Sequence, residues 1–100
     1  MDKREAIAKV MEYKKLLHQY FSFETIYLFG SYANGTNYSD SDIDVAIVVN
    51  QIEGDYFDIT PLLWKIRRQV DDRIEPILIE KDFDDANFLS EIKRNGIEIR

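Results

Sequence analysis

The chain opens with a helical period. Ile7, Val10, Met11, Leu17 and Phe21 fall on one face while Lys and Glu fill the others, which predicts a helix over residues 4–20 with Asp2 in its N-cap region. The pattern then changes. Thr25–Phe29 is rich in β-branched and aromatic residues and reads as a strand stopped by Gly30. Ser31 suits the cap of a short helical turn through Asn34, closed by Gly35. Residues 36–41 read as polar loop. Residues 43–49 carry the clearest strand pattern. Ile43, Val45, Ile47 and Val49 take one face, and Asp42, Asp44, Ala46 and Val48 the other. That second face is acidic at its start and apolar beyond, so this strand is expected to be central and covered on both sides.

Residues 50–55 read as a loop containing Gly54. The next helix has Thr60 as candidate N-cap and Pro61 in its first turn, with a start near Tyr56 as the alternative. Leu62, Leu63, Ile66 and Val70 form its inward stripe, while Lys65, Arg67 and Arg68 face elsewhere. A third strand is expected over residues 73–80, where Pro76 suggests an edge position or an irregularity. Residues 84–94 make a last helix with Phe88, Leu89 and Ile92 inward. Asn95-Gly96 stops it, and Ile97-Glu98-Ile99 adds a short strand or frays. This order of helices and strands gives an α/β (α+β) fold, one two-layer domain spanning residues 1–100.

Composition narrows the chemistry. One hundred residues make one small domain, and a 45% hydrophobic, 13% aromatic chain can build a core without staples. With no cysteine, disulfides and thiolate metal sites are excluded. The single histidine, His18, excludes a multi-histidine site within one chain and reads as a surface or boundary residue. A net charge of −6 argues against non-specific nucleic-acid binding, since no broad basic field displaces counterions. No apolar run approaches the ~20 residues needed to cross a bilayer. The charged amphipathic start is not a signal peptide, so a cytoplasmic protein is expected.

Residues 30–44 carry the candidate chemistry. A strand ends in Gly30-Ser31, and another opens with Asp42 and Asp44 on one face. Two carboxylates beside a Gly-Ser turn suit a magnesium-bound triphosphate. Three better-known motifs fail here. Gly30 and Gly35 have the glycine spacing of a P-loop, but Thr36-Asn37 follows where Lys and Ser/Thr are needed. Asp40, Asp42 and Asp44 copy the start of an EF-hand loop, but Val45 stands at its glycine position and Gln51 at its glutamate position. In aspartate-nucleophile phosphatases the acids end an apolar strand, whereas here the strand follows them.

What remains is apolar strand, Gly-Ser, short turn, Ser-Asp-x-Asp, apolar strand. In Leu28-Phe29-Gly30-Ser31-Tyr32-Ala33-Asn34-Gly35 and in Ser39 through Val48 the chain resembles the nucleotidyltransferase superfamily of the DNA polymerase β type. More narrowly it resembles the minimal nucleotidyltransferases. The likeness follows element order along the whole chain, but its specificity lies in residues 28–48. It implies a small mixed sheet packed on helices and transfer of a nucleoside monophosphate, AMP from ATP, to an acceptor hydroxyl. Such transfer needs negative charge neutralised on the attacking and leaving oxygens, which two metal ions about 3.5–4 Å apart do well. Magnesium takes carboxylate, phosphate and water oxygens. In this picture Asp42 and Asp44 bind Mg2+, and Gly30 and Ser31 hold the nucleotide phosphates at a helix N-terminus. The family also uses a third carboxylate, on a neighbouring strand, to bind metal and help deprotonate the acceptor. Glu75 is the candidate, at a place where the family more often has Asp. Glu80 and Asp82 lie at the far end of that strand. Asn34 stands where many members carry a basic residue, with Arg67, Arg68 and Arg73 as possible substitutes.

Minimal domains of this kind commonly pair with small helical HEPN-type proteins as toxin–antitoxin systems. The resemblance therefore implies an antitoxin that transfers AMP to a tyrosine of that partner. Two alternatives stay open. One is a non-catalytic module that neutralises a partner by contact. The other is a small-molecule nucleotidyltransferase of the aminoglycoside-modifying kind, disfavoured because those enzymes add a domain that builds the acceptor pocket. Tyr27, Tyr32 and Tyr38 read as packing or cleft-wall residues, with base stacking by Tyr32 or Tyr38 as the other possibility.

Overall fold

The computed structural model describes residues 1–38, 40–50, 56–83 and 87–100. The expected loop around Gly54, Ser39 of the acidic motif and the start of the last expected helix lie outside them. Helix α1 spans Lys3–Leu17. Asp2 caps it, its Oδ1 accepting the Glu5 N–H at 2.8 Å, and Lys14 and Lys15 complement the dipole at the other end. The helix ends three residues before the expected Tyr20. Beyond Leu17 the chain tightens to i→i−3 bonds, Gln19 N–H to Leu16 O and Tyr20 N–H to Leu17 O. The buried stripe also differs from the expected one. Met11 is 42% exposed, whereas Tyr13 is fully buried beside Ala6, Val10 and Leu17. The Tyr13 hydroxyl donates to Leu63 O at 2.8 Å, which satisfies the one polar atom that burial would otherwise leave dry. His18 lies on the surface as the helix C-cap, stacked on Phe23 with ring centroids 4.0 Å apart.

Strand β1 is Thr25–Phe29, helix α2 Ser31–Asn34 and strand β2 Ile43–Val49. Helix α3 is Tyr56–Arg67, strand β3 Ile74–Glu80, helix α4 Phe88–Asn95 and strand β4 Ile97–Glu98, with a 3₁₀ turn at Lys81–Phe83. The strands form one mixed sheet in the order β3-β2-β1-β4. β1 is antiparallel to both β2 and β4, and β2 is parallel to β3 through the α3 crossover. Pro76 is tolerated because β3 is an edge strand. The α3 start follows the Tyr56 alternative. Pro61 therefore sits inside the helix and Thr60 is not its cap, its buried Oγ1 having no hydrogen-bond partner among the described residues.

The period-2 pattern of β2 sorts the core. Ile43, Val45 and Ile47 join Val10, Tyr13, Leu17, Leu63 and Ile66 in the main core beneath α1 and α3. On the opposite face Ala46 and Val48 pack with Tyr27, Ile79 and the α4 residues Leu89 and Ile92. α4 packs on that second face from Ala46 onward, and nearer the strand starts on the same face Asp44 is half-buried and Glu75 exposed. Among the described residues, no helix is long and apolar enough to cross a membrane.

Candidate functional site

The open end of the second face is built by strand register. Asp44 of β2 pairs with Phe29 of β1 on one side and Glu75 of β3 on the other. Register partners project to the same face, and adjacent strands lie about 4.8 Å apart. Asp42 lies just before β2, two residues from Asp44, near enough for its charge to act on the Asp44 carboxyl. The three carboxylates named from the sequence are thus neighbours at one end of the sheet. Asp42 and Glu75 are exposed and Asp44 is half-buried. Burial raises the Asp44 carboxyl above the usual carboxylate range, and the negative charges of Glu75 and Asp42 raise it further.

Gly30 is the wall behind Asp44. Its backbone lies at φ 76°, ψ −149°, a conformation open essentially to glycine. A Cβ there would stand 2.1 Å from Asp44 Oδ2. The turn can therefore carry no side chain without moving the carboxylate. Gly30 itself is the N-cap of α2, and Ser31 is the first helical residue rather than the cap. Gly30 O accepts the Asn34 N–H at 3.0 Å, and Ser31 O accepts the Thr36 N–H at 3.0 Å. Gly35 closes the turn in the left-handed region at φ 78°. The Ser31 side chain is half-buried, and its hydroxyl has no hydrogen bond among the described residues.

Contacts that no local motif announces hold the approach to the acids. Tyr32 is fully buried, which removes it as a base-stacking surface, and its hydroxyl donates to Tyr38 O at 3.4 Å. The Tyr38 N–H donates to Ser41 Oγ at 2.7 Å, while the Tyr38 ring is 78% exposed. Behind β3, Asp71 takes Arg73 N–H at 2.8 Å, Arg73 Nε at 3.0 Å and Lys9 Nζ at 3.2 Å. These donors hold the Asp71 carboxyl far below the usual range. Arg67 turns back to the carbonyls of Asp72 and Ile74 and lies 4.5 Å from the Trp64 ring centroid, so it does not face elsewhere as its helical position suggested. Arg68 is exposed in the turn that follows α3. Glu80 and Asp82 lie at and beyond the far end of β3. Beside Gly30 a cavity of about 170 Å³ runs between Phe29, Asn34 and the α4 residues Phe88 and Glu91. Phe88 meets Phe29 edge-on, centroids 5.7 Å apart. Phe88 was expected to face inward with Leu89 and Ile92, but it is 36% exposed and lines this cavity instead.

The donor set fits a hard divalent cation: carboxylate oxygens, mutually repelling, on one open face. Among the described residues no three acidic or histidine side chains already close around one point. Magnesium tolerates this, since it keeps waters and substrate phosphate oxygens in its shell. Residues 12–99 match the family model described as polymerase beta, nucleotidyltransferase. The chain belongs to this nucleotidyltransferase family. The matched span contains the Gly-Ser turn, both aspartates and Glu75. No curated protein sequence gives a significant match. The fold is similar to the crystal structure of a candidate nucleotidyltransferase from Sulfolobus solfataricus, with a TM-score of 0.68 and 21% identity. That likeness covers 96% of this chain and 80% of the other.

Proposed function

We propose that this nucleotidyltransferase domain transfers AMP from ATP to a protein tyrosine with Mg2+, through Asp42, Asp44 and Glu75. The observation that carries the proposal is the Asp44–Glu75 register, which sets a third carboxylate beside the Asp-x-Asp pair. Asp42 and Asp44 would hold the divalent cation, with Glu75 reaching in from the neighbouring strand. When bound, the cation supplies charge neutralisation for the transferred phosphate and leaving pyrophosphate. Gly30 lets the backbone approach the phosphates, and Ser31 offers a free hydroxyl and the first N–H groups of α2. Glu75, exposed and acidic, is placed to accept the proton of the acceptor hydroxyl. The acceptor we favour is a tyrosine on a small helical HEPN-type partner, with this chain as antitoxin. The test is co-expression with a genomically adjacent helical reading frame, followed by intact-mass measurement of that partner. A mass gain of one AMP that disappears in Asp42→Asn/Asp44→Asn supports the proposal. An unmodified partner with the wild-type chain sinks it.

A second reading, neutralisation by contact alone, is favoured by one observation. Arg67 is engaged by backbone carbonyls and Arg73 by Asp71, so neither replaces the basic residue absent at Asn34. The same double variant separates the two readings, since contact alone would leave the partner neutralised.

A further inference from the structure

A cavity of about 560 Å³ lies at the other end of the sheet from the acids. Its floor includes Thr25 and Val48, which pair with each other, and Tyr27. Val48 is four residues along β2 from Asp44, on the order of 13 Å at strand rise. The charged walls are Lys14, Lys81, Lys93 and Arg100 against Glu24 and Glu98.

Both acids are already engaged. Lys81 Nζ lies 3.2 Å from Glu24, and Arg100 Nε pairs with Glu98. Glu98 also accepts from Thr25 Oγ1 at 3.4 Å. Two cations are left over. Lys14 Nζ donates to Ile99 O at 3.0 Å, a neutral partner that leaves its charge uncompensated. Lys93 has no ion pair among the described residues. A protein of net charge −6 thus places two ammonium groups that make no ion pair among the described residues in one cavity. A concave low-dielectric wall focuses such a field.

We propose that this cavity is a second ligand site, for a small organic molecule bearing a dianionic phosphate monoester. Two excess ammonium groups match the charge of one phosphate monoester, whose several acceptor oxygens serve more than one donor. The volume falls in the roughly 300–1,000 Å³ range of small-molecule sites and exceeds what inorganic phosphate fills. Val48, Ile99 and Tyr27 close the floor of the cavity, and the organic part of the ligand would lie over them. The site is independent of nucleotidyl transfer and needs no divalent cation.

The test is backbone-amide NMR titration of the full chain in EDTA, so that the carboxylate end cannot recruit phosphate through metal. The probes are ribose 5-phosphate, inorganic phosphate and ribose. Saturable shifts at residues 24–27, 93 and 98–100, with residues 30–35 unmoved, are expected with ribose 5-phosphate. Inorganic phosphate should bind more weakly and ribose should not bind. Lys93→Ala, at an exposed position, should weaken ribose 5-phosphate about tenfold, the usual worth of one charge-assisted contact, while Lys93→Arg retains it. Shifts confined to residues 30–35, no saturable shifts, or affinity unchanged in Lys93→Ala would overturn the proposal. Inorganic phosphate binding as tightly as ribose 5-phosphate would overturn the claim that an organic body is read.

Discussion

Replacing Gly30 by Ala should cost more stability than any glycine rule predicts, because the new methyl group lands on Asp44. At φ 76°, ψ −149° a non-glycine residue carries about 1–3 kcal/mol of backbone strain. The added Cβ would also lie 2.1 Å from Asp44 Oδ2, 3.0 Å from Cγ and a tight 3.3 Å from Cβ, so the clash is worst at the carboxylate. The carboxylate is therefore what moves. Turning it off its rotamer adds about 0.5–1.5 kcal/mol. The total is about 2–4 kcal/mol, a Tm loss on the order of 10–20 °C for a domain this size.

Gly35→Ala is the control. Its φ of 78° imposes left-handed strain of about 1–2 kcal/mol, but nothing lies within 4 Å of the added methyl. The deciding measurement is urea denaturation of Gly30→Ala in wild-type and Asp44→Ala backgrounds. Removing the carboxylate removes the clash, so the substitution should be about 1 kcal/mol milder there. Equal losses in both backgrounds, within about 0.3–0.5 kcal/mol, would refute the close packing of Asp44 against Gly30.

Three further outcomes are expected. Tyr13→Phe strips the donor from buried Leu63 O and should cost about 1–2 kcal/mol by urea denaturation, with no change in fold by circular dichroism. Asp71 has a depressed folded pKa, so it contributes stability above the unfolded value of about 3.9 that is lost as pH falls through the folded pKa. Asp71→Asn should thus be less stable than wild type at pH 7, with the gap closing in strong acid; a gap independent of pH would refute the pairing. Asp44 has the opposite sign, since a raised carboxyl favours the fold at low pH and loses that benefit as pH rises through the folded pKa. Metal-free Asp44→Asn should therefore gain on wild type as pH is raised from about 4 to 7, read from Tm across that range.

Local rules carried much of the fold and stopped at long-range contacts. The alternation in residues 43–49 was enough to assign both faces of β2, and Pro76 narrowed its strand to an edge position or an irregularity, of which the sheet shows the edge. The Asp2 cap was visible because capping is decided within four residues. Met11 and Tyr13 were misjudged because a period count rewards apolarity. Tyr13 can be buried only by virtue of Leu63 O, fifty residues away in sequence. A hydroxyl such as Ser31's usually fills a cap, yet the backbone at Gly30 turns so sharply that glycine itself occupies that place. The Asp44–Glu75 pairing could be guessed from Glu75 standing early in its strand, but only parallel register fixes which residue of β3 faces Asp44.

The same register explains why the acids sit where they do. α4 dries the second face from Ala46 onward, so carboxylates could not stand further along β2 without unpaired burial. Before Ala46 the face is open, and water solvates Asp42 and Glu75. Asp44 is the exception, half-buried between Gly30 and two like charges, and its raised pKa is a cost to the folded state at neutral pH. Neither strand pairing nor core packing requires an acid there, and a small neutral side chain would satisfy both. The metal-binding role proposed for Asp44 would account for an acid at a position the fold does not need. A hard cation between Asp42, Asp44 and Glu75 would turn the repulsion into attraction, and the glycine behind Asp44 keeps that carboxylate facing it.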